Sequence, residues 1–385
     1  MADTQEPRAP GAGRPATAGP RLLLNAEPFG FGPAAAVALL AAELAPDCGR
    51  IAYIGEGHTL DLQSRPPYHA IHDTTGLTED ERLARLRKLA PRYDLFVTAM
   101  DSGMAALARR AGMELAIYDA LTWYWPALPA VAYEAAPYIA QDFFGVRERV
   151  AADAALRERA VVVPPVIPPG RDWTAGRHVL VNLGGLDNPL WRPDDAVAYA
   201  RLMLAAVRAG LPAGRPVIAV TNRGIAAALA DPAVGTYDHG TMLELMSTAA
   251  YACMTSGLGN IYDAATTGVP TLWLPGANDS HTRQVLLLSE HGYCDARLDW
   301  EDIGLPVDHT APPAAVMREI SGAVRRLAGE QRLRERLAEE LAGLTAGLGG
   351  TPGKARALTD RFGHGGMRPA AAAILRQVER NTENP

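Results

Sequence analysis

The sequence predicts an α/β protein built from two doubly wound, Rossmann-like domains that face a cleft. Three observations predict this. The chain has 385 residues, and a single hydrophobic core stops growing at roughly 250–300 residues, which argues for two domains. Short apolar runs alternate with helical patterns, the rhythm of parallel sheets covered on both faces. The alternation stops at a proline-rich connector around 164–170 and begins a second cycle after it.

Composition narrows the function classes. Hydrophobic residues make up 48% and charged residues 21%, a balance that suits a packed globular chain. The formal net charge of -6 gives no bulk attraction to nucleic acid, so no nucleic-acid partner is expected. Cys48, Cys253 and Cys294 lie far apart and suggest neither a disulfide framework nor a metal site. A reducing, cytoplasmic setting is expected. The sequence has no uncharged apolar run long enough for a transmembrane helix. Residues 1–20 are rich in Pro, Gly and Ala without an apolar signal core, and are read as a disordered tail. Oligomeric state leaves no signature.

The first domain is assigned to 21–168. Residues 21–25 (RLLLN) form a first buried strand, followed by the Gly-bearing loop EPFGFGP and a helix over 34–44, with Pro33 suited to its first turn. Strands follow at 51–55 and 69–72. Thr78 and Glu81 form a capping box for a helix over 79–89. A strand at 95–99, a helix over 104–111 and a strand at 113–118 continue the pattern. The stretch 121–129 (LTWYWPALP) interrupts it. Trp123, Tyr124 and Trp125 crowd there between prolines, and aromatic and acidic residues run on through 133–144. Two readings stand side by side: a wall of a ligand pocket, or packing of a long loop. A last strand is expected at 161–163.

The second domain is assigned to 176–346. Strands are expected at 178–183, 216–221, 234–237, 251–254 and 271–274, with helices over 195–209, 225–229 and 242–248. Residues 313–346 read as strongly helical with interleaved Arg and Glu. Residues 351–385 form one or two further helices.

The chain is organised around 255–284, TSGLGNIYDAATTGVPTLWLPGANDSHTRQ. Thr255, Ser256, Gly257, Leu258, Gly259 and Asn260 open a helix, where unpaired backbone N–H groups and the helix dipole favour an anion. Asp263 stands about one turn further on, suited to accept from the two hydroxyls of a ribose. Asn278, Asp279 and Ser280 follow the next strand and suit sugar hydroxyls.

This ordered run resembles the nucleotide-sugar-binding motif of GT-B glycosyltransferases, in particular the group of lipid II N-acetylglucosaminyl and natural-product transferases. Gly257, Gly259, Asp263, Gly268, Pro270, Pro275 and Asp279 carry the resemblance. Thr255 stands where many members have His, Asp263 where many have Glu, and Asp279-Ser280 where Asp-Gln is usual. The resemblance implies a nucleotide-sugar donor (UDP-, dTDP- or GDP-linked) as co-substrate, with no cofactor and no metal. It implies an inverting transfer to a small-molecule acceptor of the natural-product or antibiotic kind. It also implies that Gly184 and Gly185 face the diphosphate and that the stretch 237–242, with His239 and Met242, borders the nucleobase. Members of the group end on a helix that returns to the first domain. Here RFGHGG at 361–366 interrupts that segment, so a return by 351–385 stays open.

The resemblance places a catalytic His in the first Gly-bearing loop, where this chain has Phe31. Glu27 is therefore the first candidate base, Asp101 the second and Asp119 the third, each with a helix cap or ion pair as its plainer role. His58, His69 and His72 share that domain. Phe29 and Phe31, with Trp123, Tyr124 and Trp125, are the expected acceptor wall. Two alternatives remain: a nucleotide-sugar hydrolase or epimerase, and a binding partner that has lost catalysis.

Overall fold

A computed structural model describes residues 19–63 and 66–383. The tail expected over 1–20 lies outside the described residues except for its last two. Seven parallel strands form the first sheet: β1 (Arg21–Ala26), β2 (Arg50–Gly55), β3 (Ala70–Asp73), β4 (Leu95–Ala99), β5 (Leu115–Asp119), β6 (Tyr138–Gln141) and β7 (Ala160–Val163), in the order β3-β2-β1-β4-β5-β6-β7. Its helices are α1 (Gly32–Leu44), α2 (Glu79–Leu89), α3 (Ser102–Arg110), α4 (Val146–Ala152) and α5 (Ala154–Arg157).

The second sheet has six strands: β8 (Val179–Asn182), β9 (Val217–Val220), β10 (Val234–Gly235), β11 (Tyr251–Met254), β12 (Thr271–Trp273) and β13 (Ala296–Arg297), in the order β10-β9-β8-β11-β12-β13. Around it lie α6 (Pro193–Ala209), α7 (Arg223–Leu229), α8 (His239–Ser247), α9 (Leu258–Thr267), α10 (His281–Glu290), α11 (Pro313–Gly329) and α12 (Gln331–Thr345). The chain ends in α13 (Leu358–Phe362) and α14 (Met367–Glu383). Among the described residues, no helix is long and apolar enough to cross a membrane.

Local chemistry explains these elements. β4 (LFVTA) and β5 (LAIYD) are buried along their whole length, as central parallel strands covered on both faces must be. The capping box forms: the Glu81 N–H donates to Thr78 Oγ1 at 3.3 Å, and the Thr78 N–H to Glu81 Oε2 at 2.8 Å. Gly268 closes α9 in the left-handed region at φ 74°, a conformation that other residues enter at a cost.

The structure corrects the sequence reading in three places. A strand, β6, lies inside the aromatic stretch read as either pocket wall or a packed loop, because Tyr138–Gln141 pairs with β5 on one side and β7 on the other. The helical segment 313–346 is two helices, since Glu330 is extended (φ −109°, ψ 109°). α4 and α5 before β7, and α10 and β13 after β12, fill stretches for which no element was expected.

The core has three parts. Leu22, Leu24, Val37 and Leu40 pack with Ile374 and Val378 of α14 on one face of the first sheet. Val179, Tyr199, Ile320 and Val324 fill the outer face of the second. A third cluster is continuous between the halves. In it Phe143 meets Tyr262 edge-on at 6.1 Å and Phe362 at 5.9 Å, and the Tyr262 hydroxyl donates to Asp142 O at 2.6 Å. The C-terminal segment visits both halves. Residues 354–362 pack on α9, the Gly366 N–H donates to Pro165 O at 2.9 Å, and α14 then lies against α1 and β7.

Ile374 is fully buried against α1. Ile374→Ala is expected to cost ~2–5 kcal/mol in chemical denaturation. Leu286→Ala, at a position 37% exposed, should stay within about 0.5 kcal/mol.

Candidate active site

In both sheets the strand order reverses direction next to the first strand, between β1 and β4 and between β8 and β11. Ligands of such sheets bind outside the carboxyl ends of the strands at that switch point. A cavity of about 210 Å³ lies there, walled by loops from both halves. The first half supplies the loop after β1, the exposed side of α1, Met100 after β4 and Leu121 after β5. The second supplies the loops after β8, β11 and β12 together with the start of α8. Met100 (φ 67°) and Leu186 (φ 49°), both on the wall, hold left-handed backbone without being glycine. Such outliers persist only where the surroundings impose them, and they gather at binding sites.

Of the expected donor residues, Gly184, Gly185, His239, Met242, Thr255, Gly257, Leu258, Gly259, Asn260, Asp263, Asn278 and Ser280 line this cavity. No side chain caps α9, and its first backbone bond runs from the Ile261 N–H to Gly257 O. The N–H groups of Leu258, Gly259 and Asn260 therefore have no partner among the described residues. No acidic residue stands in that first turn. The Asp263 carboxylate accepts from His239 Nε2 at 2.8 Å, and its charge holds the imidazole above its ordinary range against the opposing effect of burial. Asn182 donates to Asn260 Oδ1 at 3.0 Å and accepts the Gly184 N–H at 2.9 Å, tying the loop after β8 to α9. No Lys or Arg is on the wall among the described residues, so an anion there would meet backbone dipoles and the His239 imidazole rather than a Lys or Arg. Also among the described residues, no three His, Cys, Asp or Glu side chains converge as metal ligands do.

Other expected site residues are placed elsewhere. Ser256 is fully buried, and its hydroxyl donates to His281 O at 3.0 Å instead of facing the cavity. Asp279 is absent from the wall because the Tyr124 hydroxyl donates to it at 2.6 Å. Phe29 and Phe31 line the cavity, whereas Trp123, Tyr124 and Trp125 do not. Trp123 packs on Phe143, and Trp125 stands edge-on to Tyr124. The aromatic triplet thus serves the joint between the halves, which is the packing alternative.

None of the three candidate bases forms part of the wall, and they differ in commitment. Asp101 caps α3, accepting the Met104 N–H at 2.8 Å, and burial raises its pKa to about 6. Asp119 is buried and accepts from the Tyr138 hydroxyl and the Leu121 N–H, both at 2.6 Å. Burial raises its pKa too. Glu27 is half-buried and makes no side-chain hydrogen bond among the described residues. Burial, and then the charges of Asp101, Asp119 and Asp279, push its pKa up to about 8.

Comparison with solved structures identifies the architecture. Os79 from O. sativa, in complex with U2F and trichothecene, is similar over 93% of this chain and 100% of its own, at 13% identity and a TM-score of 0.55. A UDP-glucosyltransferase from Polygonum tinctorium is similar over 96% and 100%, at 15% identity and a TM-score of 0.51. The chain has the GT-B fold. No protein-family model matches the sequence, and no curated protein matches it either.

Within this GT-B fold the structure brings in residues that sequence reasoning missed. His281, at the start of α10, lines the cavity beside Gly257 and accepts from the Asn278 amide at 2.9 Å. Burial lowers its pKa to about 3, so it is neutral. The sequence signal was slight, an isolated His three residues after Asn278. Gln284 also lines the cavity, is buried, and leaves Oε1 without a partner. His58, left open as a base, bridges the halves instead. Its Nε2 lies 2.6 Å from Gly30 O and its Nδ1 2.9 Å from Asp187 Oδ2. His69 Nδ1 meets the Ile51 backbone, and His72 belongs to the edge strand β3; neither lines the cavity.

The two glycine loops touch across the GT-B cleft. The Gly30 N–H donates to Asp187 O at 2.8 Å, and a Cβ added at Gly185 would lie 2.7 Å from Gly30 C and Phe31 N. Gly185→Ala is therefore expected to part the loops, raising the radius of gyration in small-angle scattering. Gly259→Ala, where an added Cβ meets nothing within 4 Å, should leave that radius unchanged.

Proposed function

We propose that this chain is a glycosyltransferase that moves a sugar from a nucleotide-sugar donor to a small-molecule acceptor, with inversion and without a metal. One observation carries the reading. Leu258, Gly259 and Asn260, whose unpaired N–H groups open α9, line the cavity between the two sheets, with Asp263 about one turn along the same helix. That pairing suits a diphosphate joined to a ribose. The shared GT-B fold supports the reading as analogy, and Os79 is described in complex with UDP, which makes UDP-sugars the first donors to try.

The chemistry follows from the groups present. The acceptor hydroxyl gives its proton to the Glu27 carboxylate as its oxygen bonds to the anomeric carbon. The bond from that carbon to the diphosphate oxygen breaks on the opposite side, which inverts the centre. The departing electron pair stays on the diphosphate, where the N–H groups of Leu258, Gly259 and Asn260 stabilise the growing charge. Asp263 takes the ribose hydroxyls on the oxygen that His239 leaves free. Glu27 is chosen over Asp101 and Asp119 because those two carboxylates are held by backbone donors.

Calorimetric titration with UDP, dTDP and GDP, and turnover with their sugars, test this proposal. Failure of every nucleotide to bind would refute it, and release of free sugar in water alone would favour hydrolysis. Asp263→Ala is expected to weaken nucleotide binding by ~1–3 kcal/mol. A base must be ionised to work, so kcat/KM should rise as pH rises through about 8, the raised value of Glu27. Glu27→Gln should lower kcat by about 10²–10⁴-fold and abolish that limb of the profile. A profile unchanged in Glu27→Gln would assign the base elsewhere.

A further inference from the structure

β6 brings to the cavity a side chain that the proposed transfer leaves unused. Gln141 ends that strand at the carboxyl edge of the first sheet, lines the cavity and is only 4% exposed. Side chains alternate along a strand, so Gln141 shares the face of Ile139, whose core cluster includes α1, while Asp142 accepts from Arg147 at 2.8 Å.

The partners of the Gln141 amide fix which way it points. The Val166 backbone N–H lies 2.9 Å from one terminal atom, and a backbone N–H only donates, so that atom is the oxygen. The Tyr118 hydroxyl donates to the same oxygen at 2.5 Å. Two donors on Oε1 leave Nε2 on the other side of the group. Nε2 has no hydrogen bond among the described residues, yet it is not one of the unpaired atoms sealed from solvent, as Gln284 Oε1 is. The space that it reaches is the cavity.

The neighbouring carboxylates do not take its protons. Asp119 accepts from Leu121 and Tyr138, Asp101 from Met104, and Asp279 from Tyr124. Glu27 is unpaired, but it follows β1, and β4 and β5 stand between β1 and β6. That separation is about three strand spacings of ~4.8 Å. The edge therefore carries a free acceptor at one end and a free, pre-oriented donor at the other. A buried donor gains by meeting an acceptor, and one already held in place loses little freedom in doing so.

Resting on the glycosyl-transfer reading, we infer that Gln141 selects the acceptor molecule, its Nε2 donating to a carbonyl oxygen remote from the hydroxyl that meets Glu27. The acceptor is then a hydroxylated ketone, lactone or amide rather than a plain alcohol or phenol. An ammonium group would set its own protons against those of Nε2. A carboxylate would add a negative charge next to β5, where Asp119 is already buried.

Three probes of one shape test this: 4-(4-hydroxyphenyl)cyclohexanone, 4-cyclohexylphenol and 4-(4-aminocyclohexyl)phenol, titrated by calorimetry into the full-length protein with and without saturating UDP. The ketone is the more strongly hydrated of the first two, so a preference for it requires a donor in the site. It is expected to bind about fivefold or more tighter than 4-cyclohexylphenol. Gln141→Met, which strips the donor without adding charge, should erase that preference and leave UDP affinity within about twofold. Should Gln141→Met not unfold cooperatively, Gln141→Glu decides, because it keeps an oxygen for Val166 and Tyr118; at pH 9 it should lose the ketone preference and gain affinity for the amine. A ketone no tighter than 4-cyclohexylphenol overturns the inference, as does a preference that survives the substitution. Tightest binding of the amine to the unaltered protein overturns it too and moves recognition to the carboxylates. If the unaltered protein fails to bind UDP while the ketone preference depends on Gln141, the donor reading falls and the carbonyl site stands.

Discussion

Backbone polarity is the constraint on which this structure turns. A helix start leaves N–H groups that need an acceptor, and burying them unpaired costs ~1–3 kcal/mol each. At five helix starts among the described residues a side chain answers the need: Thr78 for α2, Asp101 for α3, Asp153 for α5, Asn222 for α7 and Asp238 for α8. At α9 none does, although Asn260 and Thr255 are close enough to bond to each other. β11 delivers that uncapped start to the carboxyl edge of its sheet, where parallel strands all point the same way. The cavity follows from two such edges being turned toward each other.

What holds the edges together is chemically divided. Phe143, Tyr262 and Phe362 form an aromatic joint inside one continuous core cluster. Around the cavity the ties are polar: Gly30 with Asp187, His58 with both, and Tyr124 with Asp279. A polar tie exchanges for water at a net cost of only ~0.5–1.5 kcal/mol, while exposing an aromatic cluster costs in proportion to its area. The polar ties are therefore the cheaper ones to part, which suits the two-substrate site proposed for this cavity. The C-terminal segment reinforces the joint, since it packs on α9 before α14 reaches α1.

The sequence made the fold legible wherever the signal was local. Strands β4 and β11 and helix α2 fall where the apolar runs and the capping box put them. β6 was hidden because four residues between two better strands carry little pattern, and Tyr138 reads as pocket wall until its pairing is known. β13 is two residues long and exists only by pairing with β12. The cavity wall was legible where Gly257, Gly259 and Asp263 follow in a fixed order at the start of one helix. It was not legible where function depends on which way a side chain turns. Nothing in the letters Trp-Tyr-Trp tells that Tyr124 reaches Asp279, or that Phe31 and not Trp123 faces the cavity. His281 escaped for a related reason: its place beside Gly257 is made by two loops meeting in space.

Glu27 shows how the site sets itself against the stability of the chain. Its proton is held more tightly in the folded protein than in the unfolded one, with a folded value of about 8. Between the ordinary carboxylate range and that value the folded state binds more protons than the unfolded state. Stability arising from this group is therefore full at low pH and is lost as pH rises through the window. Asp101 adds to the same trend, its value being raised to about 6. A chain selected for stability alone would put an amide at position 27, or give the carboxylate a donor. Instead burial is the main cause of its raised value, and the charges of Asp101, Asp119 and Asp279 add to it. A carboxylate raised in this way is what a proton acceptor working near neutral pH requires, and it is why Glu27, rather than its better-satisfied neighbours, is proposed as the base.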